Sequence, residues 1–308
     1  MKKTVNKTSF LSTKNIEKRI KVSKVNQSKR YTRSKFGNFF YVLILFLLGI
    51  FSVLPLVYCV ATSLKPLDEL LIFPPRFLVH RPTLLNFAAL PSILSSLKVP
   101  ISRYIFNSVF ITLVTTTLYI FLSTAAAFAL SKSKLKIKKP FFMLVQFALL
   151  FNTYTLAIPQ YLIYSYLGMI DTYSVYIFPA LASTMGVFLM KQYMEGAIPD
   201  VLLEAARMDG AGAFRIFFQI VVPMVKPCMM TLLLFGFKDA WSITGGETIF
   251  TESLKTLPTI MAQVGAGGIA RSGSAMAVTV IMMVPPIIVY LISQSNVLES
   301  MNSAGIKE

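Results

Sequence analysis

Hydrophobic residues in this chain gather into six long stretches, at about 39–63, 104–130, 141–165, 173–194, 225–245 and 274–294. About 20 mostly apolar residues cross a bilayer as a helix, and each stretch reaches that length with some interruptions. Lipid offers the backbone no hydrogen-bond partners, so spans of this length must be helical. The pattern predicts an all-α polytopic membrane protein with six transmembrane helices. It changes between the fourth and fifth stretches, where Ile198 to Pro227 is semi-polar. Val201, Leu202, Ala205 and Met208 recur with helical spacing and form one apolar face. Pro199 suits a first helical turn, and Asp200 and Glu204 put negative charge where the helix dipole favours it. Gly210 suits a left-handed stop. A second short run sets Phe214, Ile216, Phe217 and Ile220 on one side, before Pro223 and Pro227 interrupt the chain. Two small helices at about 198–222, on an aqueous face of a membrane protein, predict a docking surface.

Composition agrees with the membrane reading: 55% of residues are hydrophobic and 14% charged, against about 25% charged in soluble domains. The net charge of +17 is unevenly spread. The first 37 residues hold twelve Lys or Arg and a single acid, Glu17. Lys132, Lys134, Lys136, Lys138 and Lys139 follow the second stretch. Six crossings put both clusters on one side, and the positive-inside rule places the two termini, the lysine loop and the amphipathic segment in the cytoplasm. Residues 1–37 read as a basic, solvated cytoplasmic tail that fixes orientation, ahead of a transmembrane domain over 38–308. Contact of the tail with anionic membrane lipid is the alternative. RNA would want aromatic stacking partners that the tail nearly lacks, so no nucleic-acid partner is expected. The basic region and the apolar stretch after it are both too long for a cleavable signal peptide.

Catalytic groupings are missing from the sequence. His80 is the single histidine, and no His/Cys cluster has metal-ligand spacing. Cys59 and Cys228 both fall in apolar stretches and read as small packing residues. Gly265 to Ser274 is glycine-rich but lacks the phosphate-binding G-x-x-x-x-G-K-[ST] pattern. The chain is therefore expected to be no enzyme, with no cofactor, metal or catalytic residue, and any ATP hydrolysis must occur on a separate subunit.

The segment IPDVLLEAARMDGAGAFRIFFQIVVP carries a resemblance. Glu204, Ala205, Ala206, Gly210, Ile220 and Pro223 match the EAA-x3-G-x9-I-x-LP signature of permease subunits of bacterial ABC importers, with Val222 in place of the usual leucine. The longer run resembles the carbohydrate-uptake branch that contains the maltose permeases, the MetI-like fold of type I importers. The likeness covers about residues 40–308. The SLKPLDELLIFPPRF run resembles the family's extracytoplasmic loop after the first span, and Leu167 to Thr172 its short loop after the third. The resemblance implies a second, homologous permease, two copies of an ATP-binding subunit and an extracytoplasmic solute-binding protein. It implies that Glu204 pairs with a basic residue in a groove of the ATPase. The ATPase-coupling segment then comprises Glu204, Ala205, Ala206, Asp209, Gly210, Ile220 and Pro223. Alternating access, driven by ATPase closure through this segment, is the mechanism it implies.

Polar residues inside spans mark the candidate solute path. Asn152, Tyr154 and Gln160 fall in the third stretch, and Lys238, Asp239 and Trp241 in the fifth. Polar groups bond sugar hydroxyls and aromatic faces stack on sugar rings, although neighbouring helical residues point about 100° apart and do not share one face. Lys238 and Asp239 could instead sit near the membrane surface and reach water. FGFKDAWSITGG departs from the family's more usual tryptophan-asparagine-aspartate arrangement, which leaves the sugar open. An oligosaccharide is the expected solute. The alternatives are the same machinery moving glycerol phosphate, or an ion-coupled secondary carrier, which would want paired midplane acids and an internal repeat.

Overall fold

The computed structural model describes residues 35–95, 98–133, 136–151 and 153–305. The basic tail up to residue 34 therefore lies outside the described residues. Internal contacts divide the chain into two units, 1–56 and 57–308. Of the first unit, residues 35–56 are described, and they belong to helix α1, Lys35–Ser63, whose last residues fall in the second unit. Within it the Ser52 hydroxyl donates back to Leu48 O at 2.9 Å, so a polar side chain is satisfied inside an apolar helix.

The second unit is a helical bundle, and no strand occurs among the described residues. Short helices α2 (Leu67–Leu70), α3 (Leu85–Ala88) and α4 (Leu90–Leu94) lead to α5, Ile101–Lys132. α6 (Lys138–Ala148), α7 (Thr153–Tyr166), α8 (Ser174–Leu181) and α9 (Thr184–Ala197) follow. Next come α10 (Asp200–Met208), α11 (Ala213–Ile216), a π turn over Phe217–Val221, α12 (Val222–Met224) and α13 (Lys226–Trp241). α14 (Leu257–Gly265) and the long α15 (Ser272–Gly305) complete the described residues.

α5 is the axis of the bundle and packs along α8, α9, α13 and α14. At 32 residues it is roughly 48 Å long at 1.5 Å per residue. Its inward face carries small hydroxyls, Ser108, Thr112, Thr115, Thr116, Ser123 and Thr124, all buried. Small polar side chains let membrane helices approach closely. Ser108 Oγ, for example, accepts the Leu257 amide at 2.8 Å at the start of α14. Two larger core clusters sit at either end of this axis. One gathers Met190, Met194, Leu203, Ile216 and Val221; the other Leu94, Tyr104, Trp241, Leu257 and Ile260.

Four described helices are long and apolar enough to cross a membrane, and a fifth arises if the pair Ala213–Met224 and Lys226–Trp241, bent by 78°, counts as one span. The stretch at 141–165 is not one continuous helix but the pair α6 and α7, with turns at Leu149 to Phe151. The fourth stretch is likewise kinked between Leu181 and Thr184. There Ser183 Oγ caps α9 by accepting the Gly186 amide at 3.4 Å. Cys59 and Cys228 are free thiols, with Cys228 buried in the first core cluster.

Candidate functional site

α10 is held by few contacts and leaves most of its surface free. Leu203 is its single buried residue, and Ala206 is partly buried against the same core. Val201 is 75% exposed and Met208 88% exposed, with Glu204 and Ala205 exposed beside them. The predicted apolar face thus points outward. The anchor is Leu203, which lies on the other side.

Both ends of α10 are fixed. At its start, Lys132 at the end of α5 donates from Nζ to Ile198 O at 2.6 Å and to Asp200 Oδ1 at 2.8 Å. The Lys132 side chain is 6% exposed. Its hydrogen bond, and then its charge, hold the Asp200 carboxyl below the usual carboxylate range. Pro199 is the residue before the first turn rather than inside it. At the far end, the Gly210 amide donates to Arg207 O at 3.0 Å and the Ala211 amide to Ala206 O at 2.9 Å. These two bonds form a Schellman motif, which requires a left-handed residue. Gly210 supplies it with φ 81°. Asp209 is the C-cap and is exposed.

Beyond this turn the second run packs inward. Ile216, Phe217 and Val221 are buried and Ile220 is partly buried, while Pro223 is exposed. Pro223 has no N–H for the carbonyl four residues back. The chain widens there into the π turn, in which the Val222 amide donates to Phe217 O.

A cavity of about 430 Å³ lies between α5, α7, α8 and α13. Thr115, Tyr119, Gln160, Tyr164, Tyr176 and Asp239 are among its walls. Two sequence candidates, Gln160 and Asp239, are therefore brought together across 79 residues of chain. Asn152 and the Tyr154 side chain lie outside the described residues. Lys238 is exposed and off the cavity wall, and it forms no ion pair with Asp239.

Trp241 does not reach the cavity either. It is buried in the second core cluster and stacked on Phe237 with ring centroids 5.8 Å apart. Its Nε1–H donates to Met282 O at 3.0 Å. Met282 lies four residues before Pro286, so its carbonyl lacks the usual helical donor. The indole satisfies that carbonyl, which explains a tryptophan here by structure alone.

Tyr119, Thr115, Tyr164 and Tyr176 escaped the sequence reading. Tyr119 had one signal, a pair of glycines 50 residues apart. Gly186 and Gly236 both abut its ring: an added Cβ would stand 2.6 Å from Tyr119 Cε2 and 2.5 Å from Cδ1, respectively.

At the opposite end of α5 from α10, a polar network ties loops together. Tyr104 donates to Glu252 Oε1 at 2.8 Å, and Asn107 Nδ2 donates to Ser253 O at 2.8 Å and Lys255 O at 2.9 Å. Asp171, in the turn after α7, accepts the amides of Phe250 at 3.0 Å and Thr251 at 2.8 Å, and the Thr251 hydroxyl. The Thr251 hydroxyl, then the Thr251 amide, hold the Asp171 carboxyl below its ordinary range against an opposing effect of burial, with the Phe250 amide adding least. A depressed carboxylate stabilises the fold above its unfolded value, about 3.9, and that gain is lost as pH falls through the folded value. Asp171→Ala is expected to lower Tm at pH 7 by about 2 °C and by less at pH 3, where part of the carboxylate's contribution is lost; the left-handed backbone at residue 171, φ 58°, leaves a share that does not depend on pH. Thermal unfolding of both proteins at the two pH values checks this; an equal deficit at pH 3 would contradict it.

The bundle, its polar cavity and its exposed helix define the membrane-embedded part of a transporter. Residues 119–303 match the family model described as the binding-protein-dependent transport system inner membrane component, and the chain belongs to that family. It is 27% identical over 289 residues to the Escherichia coli inner membrane ABC transporter permease YcjP, covering 91% of this chain and 99% of that protein. It is 29% identical over 205 residues to the Bacillus subtilis melibiose/raffinose/stachyose import permease MelC, covering 65% of this chain and 74% of that one. The fold matches a chain in the crystal structure of a bacterial ABC transporter that imports the acidic polysaccharide alginate. The TM-score is 0.71 at 23% identity, over 85% of this chain and 98% of the other.

Proposed function

We propose that the chain is one of two permease subunits of an ATP-driven importer of an oligosaccharide. A homologous permease, two ATP-binding subunits and an extracytoplasmic solute-binding protein complete the assembly. The observation that carries this reading is α10, a helix whose apolar outer stripe beside Glu204 is left exposed among the described residues. A stripe of that kind marks a protein contact site. Glu204, Ala205, Ala206, Asp209 and Gly210 form the ATPase docking surface, with Ile220 and Pro223 setting how it joins the bundle. The α5 end that holds Lys132, at the head of the lysine-rich loop, lies beside α10, and the positive-inside rule puts both in the cytoplasm with the two termini. Gln160 and Asp239 belong to the solute path. The sugar assignment draws on relatives named for melibiose, raffinose and stachyose and for arabinooligosaccharides.

The test is reconstitution. Vesicles holding both permeases and the ATPase are expected to accumulate an oligosaccharide such as stachyose only with ATP and the solute-binding protein present. Uptake that follows an ion gradient and ignores ATP contradicts the proposal.

Lys132 positions the docking surface. α5 runs from this lysine past Thr115 and Tyr119 in the cavity wall, so a movement of α10 reaches the cavity through one continuous helix. Lys132→Met leaves Ile198 O and Asp200 without their cation, and uptake is expected to fall by about tenfold, the value of one charge-assisted hydrogen bond. The ATP consumed per solute rises, and Lys132→Arg restores most of the coupling. An unchanged ATP-to-solute ratio in Lys132→Met removes the positioning role.

A further inference from the structure

We infer that Asp239 makes the cavity a charge filter, one that admits neutral polyhydroxylated solutes and turns anions away. The inference rests on the importer reading above and names the chemical class of its solute. Lys238 is the neighbour of Asp239 in the sequence. The structure separates the two residues: Asp239 lines the cavity, Lys238 does not, and no hydrogen bond or ion pair engages the Asp239 carboxylate among the described residues. Among the described residues, no Lys or Arg contributes to the wall. Asp239 is an exposed residue, and its carboxylate stands unpaired on the wall of an open, concave site, whose shape focuses its field on what enters.

The rest of the wall suits a neutral polyol. Tyr119, Tyr164 and Tyr176 offer aromatic surface, Gln160 offers an amide, and Thr115 brings a buried hydroxyl with no protein partner. Carboxylates accept hydrogen bonds from sugar hydroxyls, and tyrosine faces stack on sugar C–H surfaces. A phosphate or uronate in the same place meets a like charge and no cation. The filter would set this chain apart from its relative named for sn-glycerol-3-phosphate, a Yersinia enterocolitica permease 28% identical over 200 residues.

The test reads the cavity's field without needing the solute. Ala180, a small wall residue, is replaced by cysteine in a protein whose Cys59 and Cys228 are changed to alanine. The full assembly in vesicles is treated at low salt with a trimethylammonium methanethiosulfonate or its sulfonate counterpart, and rates are normalised to a free thiol. The cationic reagent is expected to react faster by about tenfold or more, and Asp239→Asn to bring the ratio close to one. A ratio already near one with Asp239 present, or one that Asp239→Asn leaves unchanged, overturns the inference. Gln160→Cys serves as a second reporter if Ala180→Cys does not assemble. Uptake of stachyose and of glycerol 3-phosphate is measured on the unmodified assembly. Failure of every sugar with the reagent bias intact sinks the sugar-import reading and leaves the filter standing; glycerol 3-phosphate uptake rivalling that of stachyose sinks the filter.

Discussion

Glu204→Lys is expected to cut ATP-dependent uptake by at least about tenfold while the protein still inserts and folds. The size follows from placing a like charge where a charged pair is docked, which costs several kcal/mol at an interface. The direction follows from where Glu204 stands. It is exposed on α10 between Val201 and Met208 and forms no ion pair within the described residues. Substitutions at such surface positions change folding stability by only about 0.5 kcal/mol. Membrane abundance and unfolding temperature should therefore match the unmodified protein while uptake collapses. Normal uptake with intact partners would remove Glu204 from the docking surface.

The second large effect is expected at the cavity wall. Tyr119 is wedged between Gly186 on α9 and Gly236 on α13. A Cβ on Gly236 would stand 2.5 Å from the tyrosine Cδ1 and 2.7 Å from Cε1; one on Gly186 would stand 2.6 Å from Cε2, the hydroxyl and Ser123 Oγ. Ring, helix or both must shift. Overpacking of this kind costs about 1–3 kcal/mol, so Gly186→Ala and Gly236→Ala should each lower the unfolding temperature and push the ring toward the cavity. Both act through the same side chain, so their effects should not add. In a Tyr119→Ala background Gly236→Ala should cost little, while Gly186→Ala should keep the part of its cost that comes from Ser123 Oγ. Additive losses that persist without the ring would show that helix packing, not Tyr119, is the constraint.

The sequence predicts α10 well because its boundaries depend on local chemistry. Asp200 in the first turn and Gly210 at the left-handed position occupy the places that the helix dipole and backbone preference dictate, and Pro199 falls one residue ahead of the first turn it suits. Periodicity also finds the apolar stripe of Val201, Ala205 and Met208. It does not say which way the stripe faces, because a face that covers a core and one that meets a partner have the same spacing. Leu203, the residue that anchors the helix, stands outside the stripe.

Tertiary effects were less visible. Composition marks 141–165 as apolar but does not show the break between α6 and α7. Lys238, Asp239 and Trp241 are neighbours in sequence, yet the helix puts only Asp239 on the cavity wall, buries Trp241 in a core cluster and leaves Lys238 exposed off the wall. Only the proline pair in α15 explains why the tryptophan goes inward, and that partner is more than 40 residues away. Tyr119 looks like one aromatic in an apolar run until α9 and α13 bring two glycines against it.

Crosslinking from Met208 is the most direct measurement of how this permease is driven. A photo-reactive amino acid at this exposed position should capture the ATP-binding subunit in the purified assembly, with a yield that changes between the nucleotide-free and ATP-bound states. The same probe at buried Leu203 should capture only this chain. If Met208 captures lipid or the sister permease, and never the ATPase in either state, α10 does not dock the motor.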